Sequence, residues 1–194
     1  MRLTQAESER NRKQILEVAG RLFRRRGFDG VGVDDLMKAA GFTHGGFYNH
    51  FGSKAELEAE ASAAGTAQAK AALAESLSEP RKDGWERFVR GYLSAEHRRE
   101  PAAGCTLGAL AADAARKGPT VQARFAEAVE GMAIALADHL ARKPSRGKRA
   151  LARRERALQM LSELVGALVL ARAVAAADPA LSDEILAANR RGLR

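Results

Sequence analysis

The residues best suited to chemistry lie in one short segment, His44-Gly-Gly-Phe-Tyr-Asn-His-Phe51. On a helix, Phe47 and Phe51 share one face and anchor the segment to a core. The remaining side chains are polar or minimal: Thr43, His44, Gly45, Gly46, Tyr48, Asn49 and His50. Such groups suit hydrogen bonding, and an amide such as that of Asn49 can bind adenine through two bonds. A helical glycine costs about 1 kcal/mol relative to alanine, so close approach to another surface is a reason to keep two.

Residue spacing predicts neither a metal site nor a catalytic centre. His44 and His50 are six residues apart and face opposite sides of a helix. The single cysteine, Cys105, excludes an intrachain disulfide and any cysteine-based zinc or iron–sulfur cluster. His97, Cys105 or His139 could meet an acid only through folding, because no Ser/His/Asp or Cys/His spacing is present. We expect no cofactor, no metal and no enzymatic activity.

Three predicted helices position the polar segment. The first begins at Thr4 with a capping box and ends at Gly27. The second is short and ends at Gly41, and the third begins after Thr43 as its N-cap. Two short helices joined by a three-residue turn, with a helix before them, form a helix-turn-helix, whose second helix can enter the major groove of DNA.

Composition and charge narrow the class of protein. The 194 residues, 46% of them apolar, suffice for one large or two small domains. The net charge of +8 suits a polyanionic partner, and residues 142–156 hold eight Lys/Arg against one Glu. Pro144 and Gly147 favour a solvated loop there. No apolar run approaches the roughly 18 to 20 residues of a membrane span and no signal peptide is visible, so we expect a cytoplasmic protein that contacts no membrane.

The rest of the chain continues as helix. Ser53 starts a capping box, and later helices are expected from Asp83, from Cys105, from Pro119, from Lys148 and from a cap at Ser182. No segment alternates with a period of two, so the prediction is an all-α fold of nine helices.

Five groups of residues match one family in type and spacing. They are Gly27-Phe28, Val33-Asp-Asp-Leu-Met-Lys-Ala-Ala-Gly-Phe-Thr43, Gly45 with Phe47-Tyr48, His50-Phe51 and Ser53-Lys-Ala-Glu-Leu57. Over residues 8–58 the chain resembles the DNA-binding domain of the TetR repressor family. The resemblance implies a TetR-like architecture, with a helix-turn-helix DNA-binding domain over residues 1–53. A helical ligand-binding and dimerisation domain would follow over residues 54–194.

The resemblance also implies roles for single residues. Thr43, Tyr48 and Lys54 match positions that contact DNA phosphates. His44, Gly46 and Asn49 match positions that face base edges, Gly45 lies between them, and His50 matches a position near the backbone. One position departs from the family: a threonine that often donates to a phosphate is replaced by Gly32, which offers only its backbone N–H.

The second domain is predicted to bind an unidentified small-molecule effector. Apolar and aromatic residues are the candidate lining: Trp85, Phe88, Tyr92, Cys105, Leu110, Phe125 and Met132. Because pockets of this composition take apolar ligands, we expect a small, fairly hydrophobic effector. Cys105 is either a reactive thiol at a helix N-terminus or a small buried side chain.

The last two helices are predicted to form a homodimer interface, as they do in the family. The candidate residues are Leu161, Leu164, Val165, Leu168 and Ile185. A two-fold dimer would place two reading heads on a pseudo-palindromic site. The leading hypothesis is therefore a dimeric repressor that a small effector releases from double-stranded operator DNA. The alternatives are an enzyme and a ligand-independent DNA-binding protein on the same scaffold.

Overall fold

The structure, a computed structural model, describes residues 4–78, 83–141 and 148–193. Within these ranges all regular structure is helical, which confirms the predicted all-α class. The α-helices are α1 (Gln5–Arg26), α2 (Val33–Ala39), α3 (Lys54–Ser78), α4 (Gly84–Tyr92), α5 (Ala95–Arg99), α6 (Thr106–Ala114), α7 (Pro119–His139), α8 (Lys148–Val174) and α9 (Pro179–Gly192). Two 3-10 helices, His44–Asn49 and Pro101–Ala103, complete the set.

The ends of α1 and α2 follow the local sequence. The Thr4 hydroxyl accepts from the Glu7 N–H at 3.2 Å, and the Glu7 carboxylate accepts from the Thr4 N–H at 2.8 Å. This is the predicted capping box. Gly27 ends α1 with φ of 75°, and Gly41 follows α2 with φ of 82°, a backbone region that favours glycine. The Phe42 N–H then bonds the Met37 carbonyl at 2.8 Å and closes the turn.

The predicted third α-helix is a 3-10 helix, His44–Asn49. Its Gly45-Gly46 pair is a poor start for an α-helix, and short 3-10 turns need no long hydrogen-bonded run. The helix expected from Asp83 is divided into α4 and α5, because Ser94 caps a new helix by accepting from the His97 N–H at 3.1 Å.

The predicted cap of the last helix is wrong. Ser182 lies inside α9, where its hydroxyl donates to the Ala171 carbonyl at 2.6 Å. Asp178 is the N-cap and accepts from the Leu181 N–H at 2.9 Å. Pro179 follows at the first helical position, where its missing N–H costs nothing.

The chain divides into two compact units, each made of two segments of the sequence. The first unit combines residues 1–66 with 101–126, and the second combines 67–100 with 127–194. Helix α3 begins in the first unit and ends in the second. The expected DNA-binding segment 1–53 lies wholly within the first unit.

Helix α8 departs from the expectation that no apolar run of the chain is long enough to span a membrane. Over Ala150–Val174 it is long and apolar enough to cross a membrane by length and composition alone, with a window of mean hydropathy 1.6. One face of the helix, which includes Leu164 and Leu168, is buried within the second unit. A core helix meets the same criterion as a membrane span, so composition does not distinguish the two.

The basic stretch 142–156 lies partly outside the described residues. From Lys148 onwards it belongs to α8 rather than to a loop. Within it, the Arg154 guanidinium bonds both oxygens of Glu130 at 2.7 and 2.6 Å.

Candidate nucleic-acid interface

The 3-10 helix His44–Asn49 exposes the polar side chains that the sequence singles out. Phe47 and Phe51 are buried, with ring centroids 5.7 Å apart, and fix the segment to the core. Thr43, His44 and Asn49 are exposed. Tyr48 is 66% exposed although it is aromatic. Gly45 is also exposed, and Gly46 and His50 are half-buried. The segment therefore has a buried aromatic side and an outward hydrogen-bonding side.

The two predicted phosphate-binding hydroxyls are not used for helix capping. Thr43 is the N-cap of the segment, yet its side chain makes no cap hydrogen bond. Tyr48 packs edge-on against Phe47, with ring centroids 5.2 Å apart, and its ring lies 6.2 Å from that of His44. These contacts hold the exposed phenol ring without burying it.

His44 has an acidic neighbour that sequence reasoning missed. Its Nδ1 contacts Oδ1 of Asp34, which lies in the first turn of α2. The carboxylate favours the imidazole tautomer that carries its hydrogen on Nδ1 and donates it to Asp34. Nε2 is then left to bind a partner outside the chain. Asp34 itself suits the positive end of the α2 dipole.

The glycines of the segment are not required by packing within the chain. A Cβ added at Gly45 would meet no atom within 4 Å, and at Gly46 it would make an ordinary contact of 3.6 Å with Cε of Met37. Neither glycine has a positive φ. Gly32, the N-cap of α2, also has open space and no side-chain cap.

Three long polar side chains satisfy backbone carbonyls around the helix-turn-helix. Arg12 Nε donates to the His50 carbonyl at 3.3 Å, and Gln14 Nε2 donates to the Ala40 carbonyl at 2.8 Å. Lys54 Nζ donates to the Phe28 carbonyl at 2.7 Å. Sequence reasoning missed the first two roles, because the partners are 38 and 26 residues apart and no local pattern links them.

Arg12 connects α1 and α3 with the end of residues 43–50, the reading segment. Its guanidinium pairs with Glu60 at 2.6 Å, and the hydrogen bond to that carboxylate raises the pKa of Arg12. The same guanidinium lies 4.7 Å from the centre of the Phe51 ring, a cation–π distance. Arg12 therefore fixes the segment at its C-terminal end.

A buried carboxylate lies beside Lys54, the predicted phosphate contact. Glu58 is 3% exposed, and its Oε1 lies 3.5 Å from Lys54 Nζ and 3.2 Å from Lys117 Nζ. Lys117 also donates to Asp29 at 2.6 Å. Burial opposes the charge on Lys117, but the hydrogen bonds to Asp29 and Glu58 outweigh it and raise the pKa of Lys117. The bond from Lys117 lowers the pKa of Asp29.

This cluster gives Lys54 a structural role besides the predicted one. An ammonium has three N–H donors, and the Phe28 carbonyl and Glu58 take up two directions. One donor remains for an outside acceptor.

The predicted effector-binding residues are divided between the two units. Cys105, Leu110 and Phe125 are buried in the first unit, where the Phe125 and Phe28 rings lie 6.5 Å apart. In the second unit Met132 is buried, and the Trp85, Phe88 and Tyr92 rings follow one another at 5.9 and 5.7 Å.

The predicted dimer residues differ in exposure. Leu161, Leu164 and Leu168 are buried within the chain itself, whereas Val165 and Ile185 are half-buried. The exposed apolar side chains of this region are instead Val169, Leu170 and Leu181. Sequence periodicity shows that α8 is apolar on more than one side. It does not show which side is buried within the same chain and which is left exposed.

No metal site accompanies these features among the residues described. No group of three or more His, Cys, Asp or Glu side chains lies in an arrangement that could hold an ion there.

Comparisons with known proteins agree with the helix-turn-helix. The family model described as bacterial regulatory proteins, tetR family, matches residues 15–61. The HTH-type transcriptional regulator AcrR of Shigella flexneri is 41% identical over 59 residues, which are 30% of this chain and 27% of that protein. The chain therefore matches about a quarter of the length of this curated relative. The residues that the family model matches include the helix-turn-helix.

Solved structures extend the likeness to the whole fold. The reduced form of E. coli NemR has a TM-score of 0.76 at 20% identity, covering 95% of both chains. A TetR family transcriptional regulator from Agrobacterium tumefaciens has a TM-score of 0.74 at 20% identity, covering 95% of this chain and 98% of that one. At this identity the likeness concerns the fold.

Proposed function

We propose that the chain is a member of the TetR family of bacterial regulatory proteins and acts as a dimeric repressor that binds operator DNA through residues 43–54. The observation that carries the proposal is the two-sided segment His44–Asn49. Phe47 and Phe51 are buried on one side, while Tyr48, His44 and Asn49 are exposed on the other. An exposed tyrosine ring at this position does not stabilise the folded chain, whereas bound DNA would give its hydroxyl a hydrogen-bonding partner.

Each exposed residue has a proposed role set by its chemistry. The hydroxyls of Thr43 and Tyr48 donate to phosphates, and the remaining Lys54 N–H does the same. Asn49 and the free Nε2 of His44 face base edges, where amide and imidazole groups discriminate bases. Gly45 and Gly46 allow the protein backbone to approach DNA closely. His50 lies near the sugar–phosphate backbone of the DNA.

A two-fold dimer is proposed because one head contacts too few bases for selective binding. Three exposed apolar side chains near the end of α8 and the start of α9, Val169, Leu170 and Leu181, support an interface there. Val165 and Ile185, both half-buried, border it.

The aromatic side chains of α4 are the basis for proposing that a small, fairly apolar effector releases the repressor from its operator. Trp85 and Phe88 are stacked 5.9 Å apart and only half-buried, so they offer apolar surface to a ligand. An effector that favours one spacing of the two heads would shift the equilibrium between bound and free repressor.

The test measures binding of the full chain to the DNA upstream of its own gene by fluorescence anisotropy, with footprinting to locate the site. Wild type, Asn49→Ala and Lys54→Ala are compared on the footprinted duplex and on a random one, each over a range of salt concentrations. Thermal melting of each variant shows whether it is folded.

We expect Asn49→Ala to lose about 1–3 kcal/mol on the specific duplex only, because a base contact carries sequence preference. Lys54→Ala should weaken binding to both duplexes and flatten the log–log salt dependence by about one unit. Binding of wild type that is insensitive to salt and sequence would contradict DNA recognition by this segment. An unchanged salt slope in Lys54→Ala would leave that residue with its structural role alone.

A further inference from the structure

A groove of about 480 Å³ lies within the second unit, between α4 and α9. Helix α4 lines it with Glu86, Val89 and Arg90, and the end of α9 lines it with Ala187, Arg190, Arg191 and Leu193. None of these residues is among those predicted to contact DNA or an apolar effector. Its volume is in the range of about 300–1,000 Å³ that is typical of small-molecule sites.

The charge of the groove is unbalanced. Three guanidinium groups, those of Arg90, Arg190 and Arg191, line it together with one carboxylate, that of Glu86. Among the described residues none of the three arginines has a carboxylate oxygen within 4.0 Å. Other arginines of the same unit are paired, since Arg98 contacts Asp183 at 2.8 Å and Arg154 contacts Glu130 at 2.6 Å.

The groove has a fixed apolar floor. Val89 and Leu193 are both buried, so they do not move independently of the core. Trp85 Nε1 donates to the Leu193 carbonyl at 2.5 Å, which ties the end of α9 to α4. The two sides that carry the arginines are therefore held at a set separation before any ligand arrives, which lowers the entropy cost of binding.

We propose that this groove binds a small organic anion that carries two or more phosphate or carboxylate groups. A guanidinium group presents N–H donors in a planar fork that matches both oxyanions. Two helices supply the arginines, so two anionic groups on one carbon skeleton can be bound from both sides. The skeleton then lies on Val89 and Leu193. The proposal stands independently of DNA binding, because it uses no residue of the reading segment.

Glu86 gives the test an effect of opposite sign. Its carboxylate lines the same groove and repels an anion, so Glu86→Gln should tighten binding while loss of an arginine weakens it. A purely structural role for these residues predicts no such opposition. Arg99, exposed on α5, serves as the matched control because its loss changes the net charge by the same amount.

The experiment titrates the full chain with inorganic pyrophosphate and with citrate by calorimetry, at constant ionic strength. Wild type, Arg90→Ala, Arg190→Ala, Glu86→Gln and Arg99→Ala are compared, and a melting curve confirms that each is folded. Arg90 and Arg190 lie on different helices, so a folding defect in one variant leaves the other informative. A peptide rich in Asp and Glu is the macromolecular comparison.

We expect saturable binding of at least one anion, weakened about tenfold by loss of either arginine, which is the loss of a charge-assisted hydrogen bond. Glu86→Gln should bind a few times more tightly, and Arg99→Ala should match wild type. Tighter pyrophosphate identifies a phosphate ligand, and tighter citrate a carboxylate. Absence of binding, binding in both arginine variants as tight as in wild type, or binding of the acidic peptide alone would overturn the proposal.

Discussion

At Gly45, what folding requires differs from what DNA binding is proposed to require. The chain leaves open space where its Cβ would be, and its φ is not positive. Alanine is about 1 kcal/mol better than glycine in a helix, so folding alone would favour it. The proposed close approach of DNA would explain why glycine stands there.

We therefore expect Gly45→Ala to keep or raise the melting temperature and to weaken binding to the specific duplex. The added methyl group would meet the DNA backbone or a base edge rather than the protein. Thermal melting and anisotropy on the same preparation measure both effects. Gly91→Ala on α4, which also adds a Cβ into open space, is the control outside the DNA-binding residues. Unchanged DNA affinity in Gly45→Ala would show that no close approach occurs there.

Tyr48 allows a similarly narrow test of its hydroxyl. Tyr48→Phe keeps the edge-on packing against Phe47 and removes only the phenol O–H. We expect binding to specific and random duplexes to weaken equally, by about 0.5–1.5 kcal/mol for one neutral hydrogen bond. The salt slope should not change, because no charge is lost. Weakening on the specific duplex alone would instead indicate a base contact.

At the scale of elements, the sequence predicts best what neighbouring residues determine. The capping box at Thr4 and the stops at Gly27 and Gly41 are local, and the structure has all three. The type of the third helix and the cap of α9 were missed. Two glycines weaken an α-helix over His44–Asn49. At α9, Asp178-Pro179 starts the helix before Ser182 can cap it.

The long-range contacts of the first unit could not be predicted in this way. Lys117 and Glu58 are 59 residues apart, and each alone resembles a solvated charge on a helix. Only folding brings them together, with Lys54, against the Phe28 ring, which lies 5.5 Å from Lys117 Nζ. This cluster holds the start of α3 to the loop after α1 and so supports the reading segment.

Glu58→Gln should destabilise the chain by about 3 kcal/mol, because it leaves two ammonium groups without their shared, buried counter-charge. Denaturant unfolding measures the change. The control is Glu130→Gln, which removes an exposed ion pair to Arg154 and should alter stability little. Equal effects of the two substitutions would contradict a supporting role for the Glu58 cluster.

The proposed dimer requires a surface that joins two copies of the whole molecule, and burial decides which residues can supply it. Leu164, which sequence periodicity places at the interface, is 1% exposed in the single chain. A charge at that position would disrupt the core of the second unit before any partner contact was tested. Leu170, on the same helix, is 59% exposed and tests the interface without that ambiguity.

We expect Leu170→Glu to yield a folded monomer in sedimentation velocity, because two facing carboxylates would be buried in a symmetric interface. Loss of the second head should also reduce operator affinity, although residues 43–54 are unchanged. Leu151→Glu is the matched control: Leu151 lies on the same helix, near its start, and is 62% exposed. A folded dimer in Leu170→Glu, or equal dissociation in both variants, would place the interface away from Val169 and Leu170. In that case the dimer would have to use a different exposed apolar side chain, of which Leu181 on α9 is the next to test.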